Sequence, residues 1–155
     1  MKQENDFVRT TLLSWINLLV KQYNVDGLRI DTVPEVPKWF WKQFADSAGI
    51  FQIGEVFDGR TDYVADYQRC CLDSVLNYPL WFALKDVFVN NQSMKRIESA
   101  FIENQKNFVD TSVLGTFINN HDNARFLNRN ENIKKFENAI TFVMLAGKMI
   151  FFKNI

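Results

Sequence analysis

Three acidic residues stand directly behind short apolar runs of the sequence, where strands would end. They are Asp31 after residues 27–30, Glu55 after residues 52–54, and Asp122 after residues 118–121. Ligand sites of parallel βα sheets lie at the carboxyl ends of the strands, so we expect these carboxylates to converge. Neighbouring strands run about 4.8 Å apart, which allows two such carboxylates to lie about 5 to 5.5 Å from each other. That separation suits a pair in which one carboxylate attacks a sugar carbon and the other transfers a proton.

Asp31 and Glu55 differ in their expected surroundings, and the difference predicts separate roles. Arg29 precedes Asp31 by two residues, so a strand places both side chains on one face. The guanidinium would lower the pKa of Asp31 and keep it ionised, as a nucleophile requires. Glu55 shares a face with Ile53 and has no cation in its own strand, so burial would raise its pKa and suit it to general-acid catalysis. A lone carboxylate behind a strand is more often a turn residue, but three together favour a site.

His121 is the only histidine in the sequence, which excludes a histidine-based metal site. It precedes Asp122 and can either pack within its loop or hydrogen-bond a neutral polar ligand, and the sequence leaves both alternatives open. Most aromatic side chains follow helical spacing and are expected in the core. Phe57 is different, because it follows Glu55 by two residues in the loop over the expected site.

The composition excludes several classes of protein. A length of 155 residues suits one domain or part of one, and 47% hydrophobic with 23% charged residues indicates a packed core. Eighteen basic residues balance eighteen acidic ones, which gives no electrostatic footprint for nucleic acid or an anionic membrane. The longest apolar stretch, residues 139–152, contains Lys148 and falls short of the roughly 20 residues that a membrane helix needs. We therefore expect neither nucleic-acid nor membrane partners.

The sequence carries few signals of targeting or of redox state. The first residues lack the apolar region of a signal peptide. Cys70 and Cys71 are adjacent, so neither a disulfide framework nor a CxxC metal site is expected. Residues 91–93, Asn-Gln-Ser, fit the N-glycosylation pattern, which matters if the chain is secreted.

Hydrophobic periodicity predicts alternating helices and strands. Helices are expected over about 5–23, 37–48, 62–69 and 131–146, with two more beginning near Pro79 and Ser93, and Gly49 is placed to end the second helix. Strands are expected at 28–31, 51–55, 72–76, 113–118 and from 149 to 152. This alternation indicates a parallel sheet covered by helices, either doubly wound or closed as a barrel. Because no Gly-rich phosphate loop follows any of these strands, nucleotide-binding folds lose their main support.

Three segments resemble ordered signature motifs of the alpha-amylases, in particular those of the fungal type. They are Asp26-Gly27-Leu28-Arg29-Ile30-Asp31-Thr32-Val33, Gly54-Glu55-Val56-Phe57-Asp58-Gly59 and Asn120-His121-Asp122-Asn123. The similarity continues between the motifs, through residues 67–68, 76–79 and 114–117, and covers nearly the whole chain.

The resemblance implies an α/β fold that is part of a (β/α)8 TIM barrel, with residues 1–155 supplying about strands four to eight, the C-terminal half of the catalytic barrel. It implies that Asp31 is the nucleophile, Glu55 the acid and base, and Asp122 the carboxylate that holds the distorted sugar. The residues that it implies in substrate binding are Arg29, His121, Phe57, Asp58 and Gly59. The implied activity is retaining endo-hydrolysis of α-1,4-glucosidic bonds in starch or glycogen by a secreted or extracellular enzyme.

The sequence departs from the family pattern in two ways. Pro34-Glu35 stands where the fungal-type pattern has Lys-His, which contacts the leaving-group glucose. A complete barrel needs about 250 residues, and we find no counterpart here of the family's first motif, its calcium-binding B domain or its C-terminal β domain. Calcium is therefore expected in the intact enzyme, whereas no metal or cofactor is expected in this chain alone.

Two other functions stay open. A glucanotransferase or branching enzyme of the same clan uses the same carboxylates with different acceptor loops, and a truncated, inactive glucan-binding fragment would explain the missing strands. Five strands of a closed barrel leave two unpaired edges and would expose inward-facing apolar residues such as Ile30, Ile53 and Phe117. We therefore expect the isolated chain to associate and to lack activity.

Overall fold

The computed structural model describes residues 2–146 and 149–150, and in this part of the chain helices and short strands alternate. The α-helices are α1 (Asp6–Tyr23), α2 (Lys38–Ala48), α3 (Thr61–Cys70), α4 (Tyr78–Leu84), α5 (Lys95–Asn107), α6 (Phe126–Arg129) and α7 (Ile133–Ala146). The strands are β1 (Gly27–Ile30), β2 (Phe51–Gly54), β3 (Ser74–Val75), β4 (Gly115–Thr116) and β5 (Met149–Ile150). Short 3-10 turns cover Val33–Glu35 and Thr111–Val113, and a π-helical stretch, Lys85–Val89, continues α4. None of the described helices is both long and apolar enough to cross a membrane.

The strands pair in the order in which they occur along the chain. β1 pairs with β2 and β2 with β3, all parallel, and β4 pairs in parallel with β5. A parallel bridge between Leu76 and Gly115 connects the two groups. A doubly wound sheet would reverse its strand order part of the way along, whereas these strands advance in one direction, as in a barrel. The expected class, part of a (β/α)8 barrel, is confirmed.

Local signals of the sequence set the ends of the first two helices. The side chain of Asn5 accepts a hydrogen bond from the backbone N–H of Val8 (3.2 Å) and so caps the start of α1. Gly49 ends α2 in the left-handed conformation, with φ of 63°, and its N–H donates to the carbonyl of Ala45 at 2.9 Å. Both helices were expected at these positions, although Pro37 precedes α2 rather than forming its first residue.

The predicted strand at 113–118 is largely wrong. Residues 111–113 form a 3-10 turn and only Gly115–Thr116 are extended and paired. The apolar run is nevertheless buried, because Leu114 and Phe117 pack into the core. Helix α6 was not predicted, and the end of the predicted last strand, residues 151–152, lies outside the described residues. The burial of an apolar run therefore does not show which of its residues pair with a neighbouring strand.

The core lies mainly between the first three helices and the sheet. Ile30 packs there with residues of α2 and α3, including Phe40 and Trp41. A second, smaller group of buried side chains lies on the other face of the sheet and contains Ile53 and Phe117. The expectation that Ile30, Ile53 and Phe117 would be exposed is wrong, because Ile30 faces the helices and the other two are covered by aromatic rings.

Helix α1 keeps an exposed apolar face although α2 packs against it. Trp15 and Leu18 are 52% and 64% exposed, and Phe7 and Tyr23 are exposed as well. An amphipathic helix normally buries such residues. This apolar face of α1 is therefore a surface through which the chain can associate.

We predict that the isolated chain associates through the exposed face of α1 at micromolar concentration. Exposed apolar patches and unpaired strand edges both promote association. The double variant Trp15→Gln/Leu18→Glu should therefore elute later than the unchanged chain in size-exclusion chromatography with light scattering.

The matched control is Ile102→Glu, which introduces the same charge at a 60% exposed apolar position on α5. This variant should elute with the unchanged chain. A sharp monomer peak for the unchanged chain would contradict the prediction.

Cys70 and Cys71, at the end of α3, are bonded to each other. The bond joins adjacent residues and links no separate elements.

Candidate active site

Asp31, Glu55 and Asp122 line one cleft of about 460 Å³. The other residues on its wall are Thr32, Pro34, Glu35, Phe57, Tyr78 and Asn123. Asp31 directly follows β1, Glu55 directly follows β2, and Asp122 lies in the loop after β4. The cleft is thus at the carboxyl ends of the strands, where the topology of parallel βα units places ligand sites. A volume of this size falls within the range of small-molecule sites.

Arg29 contacts both carboxylates that end the first two strands. Its guanidinium forms an ion pair with Asp31, and its Nη2 lies 3.2 Å from Oε2 of Glu55. The parallel register pairs Arg29 with Ile53, so the side chains two residues further along, Asp31 and Glu55, share the same face. A forked guanidinium can satisfy two carboxylates at once.

The pKa of Asp31 lies below its ordinary value. Hydrogen bonding with the side chain of Glu55 is the largest cause of the lowered pKa, and the hydrogen bond from Arg29 follows. The charges of Arg29 and His121 act in the same direction, against a smaller opposing effect of burial. Asp31 therefore stays ionised, as the sequence predicted, although the main cause is Glu55 rather than the arginine.

Glu55 is nearly fully buried, with 5% of its surface exposed, and hydrogen bonds hold both of its oxygens. The hydroxyl of Tyr78 donates to Oε1 at 2.9 Å, and the backbone N–H of Thr32 donates to Oε2 at 3.3 Å. The strand of Glu55 contains no cation, as the sequence indicated, but Arg29 reaches it from the neighbouring strand. The side chain is therefore paired with a cation after all.

The backbone at the ends of β1 and β2 is tied together beyond the strands themselves. The N–H of Glu55 donates to the carbonyl of Ile30 at 2.8 Å, and the N–H of Val33 donates to the carbonyl of Glu55 at 3.0 Å. Between these bonds Thr32 adopts a left-handed conformation, with φ of 45°, which is unusual for a β-branched residue. The turn that carries Asp31 is thus fixed to the segment that carries Glu55.

Asparagine side chains organise the loop that carries Asp122. Oδ1 of Asn119 accepts from the N–H of Phe126 at 2.9 Å, and Oδ1 of Asn120 accepts from the N–H of Asn123 at 3.0 Å. Within this loop, Nε2 of His121 lies 3.1 Å from Oδ1 of Asp122. Hydrogen bonds from backbone N–H groups to asparagine side chains, rather than secondary structure, therefore fix the conformation of this loop.

The loop after Glu55 divides into a part on the cleft and a part away from it. Phe57 lines the cleft, is 57% exposed, and packs edge-on against Tyr78 with ring centroids 4.9 Å apart. Asp58 instead pairs with Arg60 at 2.8 Å, and the guanidinium lowers the pKa of Asp58. Gly59 lies beside Phe82, where a Cβ would approach the ring to 3.2 Å. The structure therefore brings Phe57 to the cleft, but not Asp58 or Gly59.

Sequence reasoning missed Tyr78 and Thr32 as residues of the site. Tyr78 is one of the aromatic side chains that the sequence predicts in the core, and it is fully buried. Its position just after the third strand could have identified it as a site residue, because catalytic residues lie at the carboxyl ends of the strands. The contact of the Thr32 backbone with Glu55 depends on tertiary structure and leaves no pattern in the sequence.

The described part of the chain offers no metal site built from His, Cys, Asp or Glu. No three such side chains, among the described residues, lie close enough together to hold an ion. The described residues therefore offer no cluster of acidic side chains for the calcium that the family resemblance implies.

The fold and the cleft define a class of protein, the (β/α)8-barrel glycoside hydrolases, in which carboxylates at strand ends cleave sugars. The family model for the alpha-amylase catalytic domain matches residues 1–153, and the chain belongs to this family. It is 41% identical over 144 residues to Alpha-amylase 2 of Schizosaccharomyces pombe, covering 92% of this chain and 25% of the relative. The chain thus spans a quarter of the length of that relative.

Solved structures of the family superpose closely on the described structure. An alpha-amylase from Malbranchea cinnamomea matches with a TM-score of 0.90 and 34% identity, over 97% of this chain and 32% of that one. A cyclomaltodextrin glucanotransferase matches with a TM-score of 0.88 and 27% identity, over 98% of this chain and 33% of that one. The barrel segment is therefore shared by enzymes named as hydrolases and by one named as a transferase.

We predict that Thr32→Asn raises the thermal midpoint of a complete barrel that contains this chain. Such a composite enzyme is made by replacing the matching segment of the S. pombe relative with this chain. Asn tolerates the left-handed conformation better than Thr does, so the exchange should relieve about 1 kcal/mol of strain. The side chain of Thr32 is exposed and caps no helix, so little is lost.

The control is Thr11→Asn, an exposed position within α1 where the backbone is helical. Thr and Asn have similar helix propensities, so this variant should leave the midpoint unchanged. Equal midpoints for Thr32→Asn and the unchanged composite would show that Thr32 is not strained.

Proposed function

We propose that this chain supplies the catalytic half of a site that hydrolyses α-1,4-glucosidic bonds in starch or glycogen with retention of configuration. The observation that carries the proposal is the pair formed by Asp31 and Glu55 on neighbouring strand ends, which line one cleft and are bridged by Arg29. Membership of the alpha-amylase family supports the same substrate class.

Asp31 is proposed as the nucleophile. Its lowered pKa keeps it negative, and more than half of its side chain is exposed, so it can reach an anomeric carbon in the cleft. Attack by a carboxylate oxygen forms a glucosyl ester while the bond to the leaving oxygen breaks. Water then attacks the anomeric carbon from the face that the leaving group vacated, opposite the ester, and the bond to Asp31 breaks, so that two inversions restore the original configuration.

Glu55 is proposed as the general acid and base. It is nearly fully buried, lines the same cleft as Asp31 and shares the guanidinium of Arg29 with it, a position that suits proton transfer beside the nucleophile. In the first step this proton passes to the leaving glucosyl oxygen, and in the second step the carboxylate takes a proton from the attacking water.

Sugar binding is proposed for the residues that surround the pair. Asp122, with His121 beside it, would accept hydrogen bonds from sugar hydroxyls, and Phe57 offers an exposed ring face for stacking. Asp58 and Gly59 would act indirectly, by shaping the loop that presents Phe57. Glu35 lies on the cleft wall where the fungal-type pattern has a basic or imidazole group, so the leaving-group side of this cleft would be more acidic.

Three further parts of the proposal concern calcium, the location of the enzyme and the activity of the isolated chain. We assign calcium to the intact enzyme, as the family resemblance implies, and the described residues provide no cluster of three His, Cys, Asp or Glu side chains for it. We infer that the enzyme acts outside the cell, which the exposed glycosylation pattern at Asn91 supports. The isolated chain is proposed to be inactive, because the rest of the barrel must hold the site to within about 1 Å.

Transfer of the glucosyl group is the second candidate function, and the match to a glucanotransferase favours it. The same ester would form on Asp31, but a sugar hydroxyl rather than water would accept the glucosyl group. Hydrolysis raises the number of reducing ends with time, whereas transfer shortens some chains and lengthens others at a constant number. A reducing-end assay with chain-length analysis separates the two outcomes.

The stereochemical prediction is that the composite enzyme releases products with the α configuration. Proton NMR of a fresh hydrolysate, recorded before mutarotation, reads the anomer directly. Asp31→Asn should lower turnover by more than about a thousandfold, the size of effect that loss of a catalytic acid residue produces. The isolated 155-residue chain, assayed in parallel, should match the Asp31→Asn background.

Asp26→Asn is the matched control, because Asp26 is exposed in the turn before β1 and lies outside the cleft. It should retain activity. Initial release of the β-anomer, or full activity of Asp31→Asn, would contradict the assignment of Asp31 as the nucleophile.

The general-acid prediction compares two substrates. Glu55→Gln should lower turnover of starch by about 10² to 10⁴, but it should slow ester formation from a glycoside with a good leaving group far less, because such a group needs no proton. Burst kinetics on the activated glycoside measure this step.

Asp26→Asn, the exposed change outside the cleft, controls for loss of an acidic charge and should leave turnover of both substrates unchanged. If Glu55→Gln costs the same on both substrates, Glu55 is not the acid.

A further inference from the structure

A chain of hydrogen bonds runs from the loop that carries Asp122 to the carboxyl of Glu55. Nδ2 of Asn120 donates to the hydroxyl of Tyr78 at 2.8 Å, and this hydroxyl donates to Oε1 of Glu55 at 2.9 Å. Tyr78 is fully buried at the start of α4, and its ring forms part of the cleft wall. The proposed chemistry assigns no role to either Asn120 or Tyr78.

The direction of this chain is fixed at its far end. Oδ1 of Asn120 accepts hydrogen bonds from the backbone N–H and from the side chain of Asn123, each at 3.0 Å. A backbone N–H can only donate, so the amide of Asn120 must turn its NH₂ group toward Tyr78. The phenol oxygen therefore accepts from Asn120, and its own hydrogen is left for Glu55.

The phenol also keeps its proton under all working conditions. Burial is the largest cause that raises the pKa of Tyr78 far above its ordinary value, and the hydrogen bond to Glu55 is the next. Tyr78 is thus a permanent donor to Oε1, while Thr32 and Arg29 occupy Oε2. With both oxygens held, the carboxyl of Glu55 has one orientation in the cleft.

We propose that Tyr78 is a positioning residue for Glu55 and that Asn120 sets the direction in which Tyr78 donates. The inference rests on the proposed role of Glu55 as acid and base, and it extends that role to a residue pair outside the carboxylates. A donor to a carboxylate favours its charged form. Tyr78 therefore eases release of the Glu55 proton to the leaving group, and it couples this release to the loop of Asp122.

The packing around Tyr78 allows the hydroxyl to be tested separately from the ring. Its ring lies edge-on to Phe57 and to Phe117, with centroids 4.9 and 5.1 Å away. Tyr78→Phe keeps these contacts and removes one oxygen. A residue that only fills space would leave the pH dependence of catalysis unchanged after this substitution.

The experiment is the pH profile of kcat for the composite enzyme and its Tyr78→Phe variant. We expect the alkaline limb, where the general acid loses its proton, to move up by about one pH unit, because one charge-stabilising hydrogen bond is lost. The acid limb should stay in place, KM should change less than kcat, and kcat at neutral pH should fall about tenfold.

Asn120→Asp is the second variant, and it needs no change in the tyrosine. An aspartate cannot donate to the phenol, so the phenol would turn its hydrogen away from Glu55. The alkaline limb should move in the same direction as in Tyr78→Phe. The control is Tyr63→Phe, which removes a tyrosine hydroxyl bonded to Tyr67 (3.2 Å) on α3 and should leave the profile unchanged.

A readout independent of turnover keeps the two proposals separate. In protein labelled with ¹³C at glutamate carboxyls, the Glu55 resonance is identified by its loss in Glu55→Gln, and its titration should shift upward in both variants. An unchanged titration and an unchanged alkaline limb in Tyr78→Phe would overturn the positioning role even if Glu55 is the acid. A shifted titration in an enzyme whose Glu55→Gln variant stays active would support the positioning contact and reject the proposed function.

Discussion

The guanidinium of Arg29 lies between two carboxylates that two neighbouring strands bring together, and the arrangement of the cleft depends on it. Asp31 and Glu55 would repel each other if both were ionised without a cation. Arg29 pairs with both, so that its positive charge offsets this repulsion. The parallel register of β1 and β2 is what places the three side chains on one face.

The backbone next to Arg29, Asp31 and Glu55 is held in a strained conformation. Thr32 adopts a left-handed conformation between two hydrogen bonds that tie the turn after β1 to the segment after β2. Trp41 stabilises the same turn from beneath, because its indole donates to the carbonyl of Val33 at 2.9 Å. Gly54 allows the close approach, since a Cβ there would come within 2.9 Å of the Val33 side chain. Strain at a site of this kind persists only where the surroundings hold it in place.

The far side of the cleft is held by a different kind of contact. Tyr78 and Phe117 pack with Trp81, whose indole donates to the carbonyl of Ile118 at 2.9 Å. This aromatic layer covers Ile53 on the inner face of the sheet and supports the loop that contains Asn120. Aromatic rings with polar tips suit this position, because the ring fills the core while the tip satisfies a polar group. The two halves of the cleft, one held by backbone bonds and one by aromatic packing, meet at Glu55.

The sequence by itself determined the alternation of helices and parallel strands and named three candidate carboxylates, because both rest on local patterns, and the resemblance of its motifs to the alpha-amylases favoured a barrel over a doubly wound sheet. Period-3.6 and strand-like runs alternate along the chain, and chemistry-bearing residues follow the strands directly, so Asp31, Glu55 and Asp122 could be named in advance. The partners of Glu55 were decided only by the tertiary structure: Arg29 reaches it from another strand and Tyr78 from a helix that begins 23 residues later. The tertiary structure also decided that Ile30 faces the helices. It likewise decided that only two residues of the apolar run 113–118 pair as strand β4. Such contacts join residues far apart in sequence, and their geometry depends on register and packing, which no local pattern records.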